Sequence, residues 1–497
     1  MFRSITPESA GVSSARVSAL LDRLERRGLN MHSLLLLRGD DLFFEGYWKP
    51  FDRDFCHRMY SQTKSFVGVA IGLLEEEGRL CLDDPIVSFF PDKLDAPPHP
   101  LLARQTVRQM LTMTTVGNPR AYWFRSPDPD RVHLYLNDDR GGRMHPPGTV
   151  WEYDSAGSQV LASLVERLAG MPLLSYLRKK LFDRMGTFGT AEILQTKNND
   201  SWGDSAMVCT PRDMASFGRL VMQYGVYNGE RLMNERYLRE ATSPRVSNKV
   251  SGWDSYAAHG YGYQIWCTEQ GGFSFHGMGG QFTVALPDRD FLFVCTADNQ
   301  GYAQAHEVLF EALFEEIVDP MRDTPLPENT SAYAALAARA ADLQMRTADG
   351  AVTSPRAAQI NDTVFRCNDN PMGWRSFSLH FGEDGQGVLR YQNEQGEKEL
   401  FFGMGKTVLG RFPEDGYSDG HGGLPGPAGF RYRCGASAGW VDPDRLLLRV
   451  FIIDRYFGNL SIHFAFRDNE VCAYMVPAAE AFLEKYNGYI IGTAVAH

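Results

Sequence analysis

From Phe66 to Leu74 the chain reads FVGVAIGLL, a helical stretch with no polar face. A helix that is apolar all the way round belongs inside a protein. The run is far too short to span a bilayer, so the remaining chain has to wrap around it. With 497 residues there is enough chain for two or three domains and a large core.

Immediately before this helix stand Ser61 and Lys64, in "YSQTKSF". By itself the pair is a weak signal, since about one Ser-x-x-Lys match arises by chance in a chain of this length. Serine is also a good helix cap and lysine an ordinary helix residue. Position makes the pair informative. Residues i and i+3 share a helix face, so the Lys64 amine can reach the Ser61 hydroxyl. Burial disfavours an ammonium, which places a general base beside a weak nucleophile. Backbone N–H groups at the helix start suit an oxyanion.

Composition narrows the function classes. Hydrophobic residues make up 43% and charged residues 22%, as in a globular protein. A net charge of −11 argues against a nucleic-acid partner or a polybasic membrane surface, leaving a small-molecule substrate as the expectation. Eight scattered cysteines without a Cys-x-x-Cys pair disfavour metal ribbons and a dense disulfide framework. The opening "MFRSITPESAGVSS" has neither a basic nor an apolar leader region, so a cytoplasmic protein with reduced thiols is expected. No metal or cofactor is called for.

The pattern along the chain predicts an α/β (α+β) protein with a second, all-β domain. Residues 7–28 read as an amphipathic helix closed by Gly28, and "MHSLLLLRGDDLFFEGYW" as two strands around a Gly39-Asp40 turn. Helical patterns fill the middle, and strands return in "GYGYQIWCT", "FSFHGMGGQFTVALP" and "DFLFVCTAD". Strands from both ends of this region then share one sheet covered by helices. The expected organisation is a first domain over 1–320, a linker with a short helix over 321–350, and an antiparallel β domain, barrel or sandwich, over 351–497.

Acyl transfer also requires a proton shuttle and a second oxyanion donor. "WEYDSAGSQV" places Tyr153 two residues before Ser155 at a helix entry; a tyrosine beside a cationic lysine can relay protons, or simply pack as an aromatic. In "FSFHGMGGQ", Gly277, Gly279 and Gly280 surround Met278 on a strand edge, where a substrate can approach free backbone N–H groups; a β-bulge or hairpin corner is the other reading. The histidine of "SDGHGGLPG", His421, stands alone in a turn.

In this order, "YSQTKSF", "YDS" and "HGMGGQ" resemble the three motifs of the serine β-lactamase-like superfamily, written Ser-x-x-Lys, Ser-Asp-Asn and Lys-Thr-Gly in its class A members. The Tyr-x-Ser form, with "PPGTVWEYDSAGSQVLASLVERLAG", "CTPRDMASFGRL" and "GGQFTVALPDRDFLFV", looks most like the class C branch of penicillin-binding-protein-like peptidases, family VIII esterases, D-aminopeptidases and 6-aminohexanoate-dimer hydrolases. The resemblance runs from about residue 5 to 317. It implies a β-lactamase/transpeptidase-like domain with an antiparallel sheet and a helical subdomain, followed by a barrel that is lipocalin-like. It also implies Ser61 as acylated nucleophile, Lys64 as its base and Tyr153 as proton relay, with Ser155 where an asparagine usually holds substrate. Aligning Gly277 with the motif glycine makes Met278 the second oxyanion donor, with Phe275 or His276 in place of the usual lysine. Neither carries a permanent charge, which weakens the case for a β-lactam substrate. The implied activity is hydrolysis of a small amide or ester through an acyl-enzyme. Alternatives are a D-amino-acid-specific peptidase or carboxypeptidase, or a binding protein that keeps the fold.

Overall fold

Strands β1 (Arg3–Ser4), β2 (Met31–Arg38) and β3 (Asp41–Tyr47) lie near the start of the chain. They meet β9 (Trp266–Cys267), β10 (Phe273–Gly277), β11 (Gln281–Leu286) and β12 (Phe291–Ala297) in one sheet of order β1-β3-β2-β12-β11-β10-β9. Two small sheets lie between these groups: one in which β6 (Met207–Cys209) joins β4 (His57–Arg58) to β5 (Glu192–Ile193), and the hairpin of β7 (Val226–Tyr227) with β8 (Glu230–Arg231). The pairing of β2 with β12 is antiparallel and sets Leu34 to Leu37 opposite Cys295 to Leu292. All four leucines are fully buried, so both faces of this central strand are covered. These features belong to a computed structural model that describes residues 2–117, 128–138, 144–249, 255–415, 431–479 and 486–495. His421 lies outside them.

The helices of this part are α1 (Ser14–Arg26), α2 (Thr63–Glu76), α3 (Val107–Leu111), α4 (Arg131–Asn137), α5 (Ser155–Ala169), α6 (Leu173–Leu177), α7 (Asp183–Met185), α8 (Pro211–Met222), α9 (Glu235–Ala241), α10 (Ala305–Leu313) and α11 (Thr330–Ala341). Every residue of α2 from Thr63 to Leu74 is buried, the outcome its apolar circumference requires. The first helix departs from expectation, starting at Ser14 and not at Pro7. Residues Glu8–Ala10 form a separate short turn, Gly11 follows at φ +82°, and the Ser13 hydroxyl caps the helix by accepting from Arg16 N–H. A side chain at Gly11 would overlap the Arg322 carbonyl, so the bend belongs to glycine.

The chain divides into two compact units. One holds the chain to Ala297 and Gln304–Gln344; the other holds Asp298–Ala303 and most of the chain from Met345. The 321–350 segment therefore divides, with α11 in the first unit, where Arg339 bridges to Asp22 and Glu25 of α1. After the short α12 (Pro355–Ile360), the second unit is a closed β-barrel. Its strands are β13 (Phe365–Cys367), β14 (Ser376–Phe381), β15 (Gln386–Asn393), β16 (Gly396–Met404), β17 (Val408–Arg411), β18 (Arg433–Asp442), β19 (Arg445–Ile453), β20 (Phe457–Arg467), β21 (Glu470–Ala479) and β22 (Gly488–Ala494). Antiparallel pairs run in the order β16-β15-β14-β13-β22-β21-β20-β19-β18, and a parallel pair, Gly403 with Ser437 and Met404 with Ala438, joins β16 to β18. Nine strands close the ring, where lipocalins use eight; β17 adds to the rim of β18. Alternation fills the interior with Leu446, Leu448, Val450, Leu460, Ile462, Phe464 and Phe466.

Two features of the first unit can be tested through stability. A Cβ at Gly203 would overlap the Cβ of Ala162 on α5, and neither atom has a rotamer with which to escape. Gly203→Ala should cost about 1–3 kcal/mol, as overpacked cores do, and Ala162→Gly should recover part of that loss. Urea midpoints of both singles and the double test the coupling; strictly additive losses would refute it.

Beneath the strand that leads to Ser61, Asn30 Nδ2 donates to His32 Nε2 (3.3 Å), His32 Nδ1 to His57 Nε2 (2.9 Å), and His57 Nδ1 to the Arg58 carbonyl (2.8 Å). The carbonyl can only accept, which fixes this order for two neutral rings. Burial pushes His57 down to about 3 and His32 well below the usual imidazole range. The unfolded chain takes up these protons below about pH 6.5 and the fold does not, so stability is full above that value and declines toward pH 3. Between pH 7 and 5 the loss should reach up to about 2 kcal/mol per imidazole, and His57→Gln should lose less over the same interval in urea titrations.

Candidate active site

The nucleophile candidate is placed by β4. Its residues pair with β6 (His57 with Cys209, Arg58 with Val208), and Met59 N–H donates to the Met207 carbonyl at 2.8 Å. The backbone then turns sharply. Tyr60 has φ +47°, a left-handed conformation that costs a bulky residue about 1–3 kcal/mol. Surrounding contacts hold it there: the Thr63 hydroxyl donates to the Tyr60 carbonyl (2.5 Å) and accepts from Met207 N–H (2.9 Å), and the Arg58 guanidinium lies 4.5 Å from the Tyr60 ring centre. The result sets Ser61, half-buried, at the entrance of α2.

One turn further, the Lys64 side chain is 2% exposed. Its Nζ donates to Ser61 Oγ at 2.9 Å and to the Asp204 carbonyl at 2.6 Å, and lies 5.1 Å from the Tyr153 ring centre. Ser61, Lys64 and Tyr153 are thus together. Tyr153 precedes α5, whose cap is Asp154: one carboxylate oxygen accepts from Gly157 N–H (2.8 Å), the other from Thr115 Oγ1 (2.9 Å) and Tyr135 Oη (3.3 Å). Ser155 is the first residue of the helix and half-buried; among the described residues it makes no side-chain hydrogen bond to this trio.

The glycine-rich segment reaches the same place along β10. Gly277 passes so close to the Met59 carbonyl that any Cβ would overlap it, bringing the strand edge beside the turn that carries Ser61. Met278 follows at the exposed turn, 38% accessible, and Gly279 and Gly280 take φ +84° and +101°. Gln281 fixes this turn: its Nε2 donates to the carbonyls of Met278 and Ala297, both at 2.7 Å, and its Oε1 accepts from Ala297 N–H at 2.9 Å. Phe275 and His276 leave on opposite faces. Phe275 is buried against Phe217 (5.4 Å between ring centres). His276 stacks on Trp266 (4.8 Å, 9°) with Nε2 2.7 Å from Ser274 Oγ, and burial holds it neutral, well below the usual imidazole range.

Sequence reasoning missed four residues here. Trp266 stacks on Tyr153 (5.7 Å, 23°) as well as His276, and so joins the second and third motifs. Asp204, Trp202 and Arg131 lie behind Lys64: the Asp204 carboxylate approaches Lys64 Nζ (3.9 Å) and Arg131 Nη1 (3.8 Å), and both Arg131 and Arg58 lie within 5 Å of the Trp202 ring centre. "SWGDSAM" reads locally as a turn, with nothing to indicate a lysine 140 positions earlier. Among the described residues no group of three His, Cys, Asp or Glu side chains is placed to hold a metal ion. What the site assembles is a hydroxyl and an amine in hydrogen-bond contact, with a phenol ring over the amine, beside a glycine-lined strand edge.

A 6-aminohexanoate-dimer hydrolase from Paenarthrobacter ureafaciens is 27% identical over 305 residues, covering 56% of this chain and 75% of that protein. Esterase EstB of Burkholderia gladioli is 26% identical over 203 residues, 34% of this chain and 50% of that protein. Among solved structures, a Bacillus anthracis chain provisionally named a 6-aminohexanoate-dimer hydrolase shares the fold, with a TM-score of 0.51, 20% identity, and coverage of 63% of this chain and 86% of that one. The Beta-lactamase family model matches residues 15–316, a span that holds the serine–lysine pair, the tyrosine and the glycine-lined strand: the chain belongs to the β-lactamase family and is a hydrolase of that family.

Proposed function

We propose that this chain hydrolyses a small amide or ester through an acyl-enzyme on Ser61. The observation that carries this reading is the buried Lys64 amine, 2.9 Å from Ser61 Oγ. As Oγ attacks the substrate carbonyl, Lys64 Nζ takes its proton and the carbonyl oxygen becomes an oxyanion. The backbone N–H groups of Ser61 and Met278 are the assigned donors to that oxyanion. The proton then passes through Tyr153 to the departing nitrogen or oxygen; the bond to the leaving group breaks and an ester to Ser61 remains. Water deacylates it by the reverse proton path.

The substrate class follows from what stands at the third motif. Phe275 is apolar and His276 neutral, so neither position offers a cation to a substrate carboxylate. Recognition then rests on the acyl group and the scissile bond, in keeping with an amide hydrolase and an esterase among the relatives.

Labelling with a fluorophosphonate tests the reading directly, with an adduct on Ser61 expected and none in Ser61→Ala. Folded wild-type protein that gains no adduct would overturn it. Ser61→Ala and Lys64→Ala should each abolish turnover, and the double variant should be little worse than either, since the two act as a unit. Tyr153→Phe should lower kcat by about a hundredfold, and Ser155→Ala by much less. A screen of p-nitrophenyl esters against D-aminoacyl anilides identifies the scissile bond.

A further inference from the structure

Behind the serine–lysine pair stands a buried carboxylate that the proposed reaction does not consume. The Asp204 side chain is 4% exposed. Its backbone carbonyl accepts from Lys64 Nζ, its Oδ2 lies 3.9 Å from that nitrogen, and its Oδ1 lies 3.8 Å from Arg131 Nη1, on a side chain 6% exposed. A carboxylate taken out of water at such cost invites a structural explanation first. The loop, however, is pinned by other groups. Arg58 Nε and Nη2 donate to Ser205 O (3.0 Å) and Oγ (3.2 Å). Gln159 binds the Ser201 carbonyl and Gly203 N–H, both at 2.9 Å, and Thr63 Oγ1 takes Met207 N–H. The carbonyl that touches Lys64 is thus delivered without help from the Asp204 side chain.

What the side chain adds is charge. We infer that Asp204 and Arg131 form a charge couple that sets how readily Lys64 sheds its proton, acting as positioning residues for the acyl transfer proposed above, on which this inference rests. The groups facing Lys64 are Ser61 on its own helix, Tyr153 before α5, Asp204 before β6, and Arg131 of α4 on the far side of that carboxylate; Arg58 lies beyond Trp202. A carboxylate near 4 Å in a poorly solvated site favours the ammonium. Arg131, on the carboxylate's other oxygen, offsets that field and adds its own, favouring the free amine. The couple thereby lets a lysine have an acid beside it and still act as a base.

The two members must act in opposite directions on the pH dependence of acylation. The measurement is the second-order rate of fluorophosphonate labelling of Ser61 against pH, in the full-length chain. Asp204→Asn, which keeps the shape, should move the rising limb to lower pH by about one unit, or about tenfold in rate at a fixed pH on the limb. Arg131→Gln should move it to higher pH, by less because Arg131 stands farther from the amine. Arg131→Lys, which keeps the charge, should leave it in place, and the Asn/Gln double variant should return it toward wild type. A merely structural role lowers the plateau and leaves the limb where it was; that result in both single variants overturns the inference. If Asp204→Asn does not fold, the contrast of Arg131→Gln with Arg131→Lys decides alone, and an unmoved limb again overturns it. Wild type without a Ser61 adduct removes the acyl-enzyme reading and this one together; a labelled wild type with unmoved limbs removes this one alone.

Discussion

Everything around the serine–lysine pair follows from placing a lysine inside an apolar helix. The amine of Lys64 has left water, so it needs acceptors fixed in advance, and it finds them in Ser61 Oγ and the Asp204 carbonyl. Meeting that need constrains two distant pieces of chain. The turn before α2 adopts a left-handed Tyr60 so that Ser61 faces back over the helix, and the loop before β6 is held by Arg58, Gln159 and Thr63 so that one carbonyl points at Nζ. The strain and the buried polar groups sit together at the candidate site, the usual pattern of a fold that spends local stability on a site.

The second and third motifs are coupled through packing. Tyr153, Trp266 and His276 stack in sequence, so the phenol ring that faces Lys64 is braced by β9 and β10. A neutral imidazole suits this place better than a cation, because it stacks on indole without the desolvation cost of a charge. The loss of the third-motif charge and the aromatic brace are two aspects of one arrangement.

How much of this was readable in advance depended on how local the cause is. The buried α2, the β2–β3 hairpin at Gly39-Asp40 and the barrel strands are written in short-range patterns: circumferential apolarity, a turn between apolar runs, and alternation. The start of α1 was not, because a carbonyl from Arg322 decides the conformation of Gly11. Barrel closure through the parallel β16–β18 pair was equally hidden, since no local signal reports which strands meet at the seam. Within the site, motif order pointed to Ser61, Lys64 and Tyr153, whereas Asp204, Arg131 and Trp266 matter only through neighbours far away in the chain.

The pairing of β2 with β12 has a consequence during synthesis. Leu34 to Leu37 emerge early, yet the strand that covers one edge of them ends at Ala297. At about 5–20 residues per second, a ribosome needs on the order of tens of seconds to make the intervening chain. For that interval the nascent protein carries a four-leucine strand with an open edge and no sheet to join, the kind of segment that pairs with other chains. Arg38 and Asp41 flank it at the hairpin, and their charges are the local protection against such pairing until the second half of the sheet arrives.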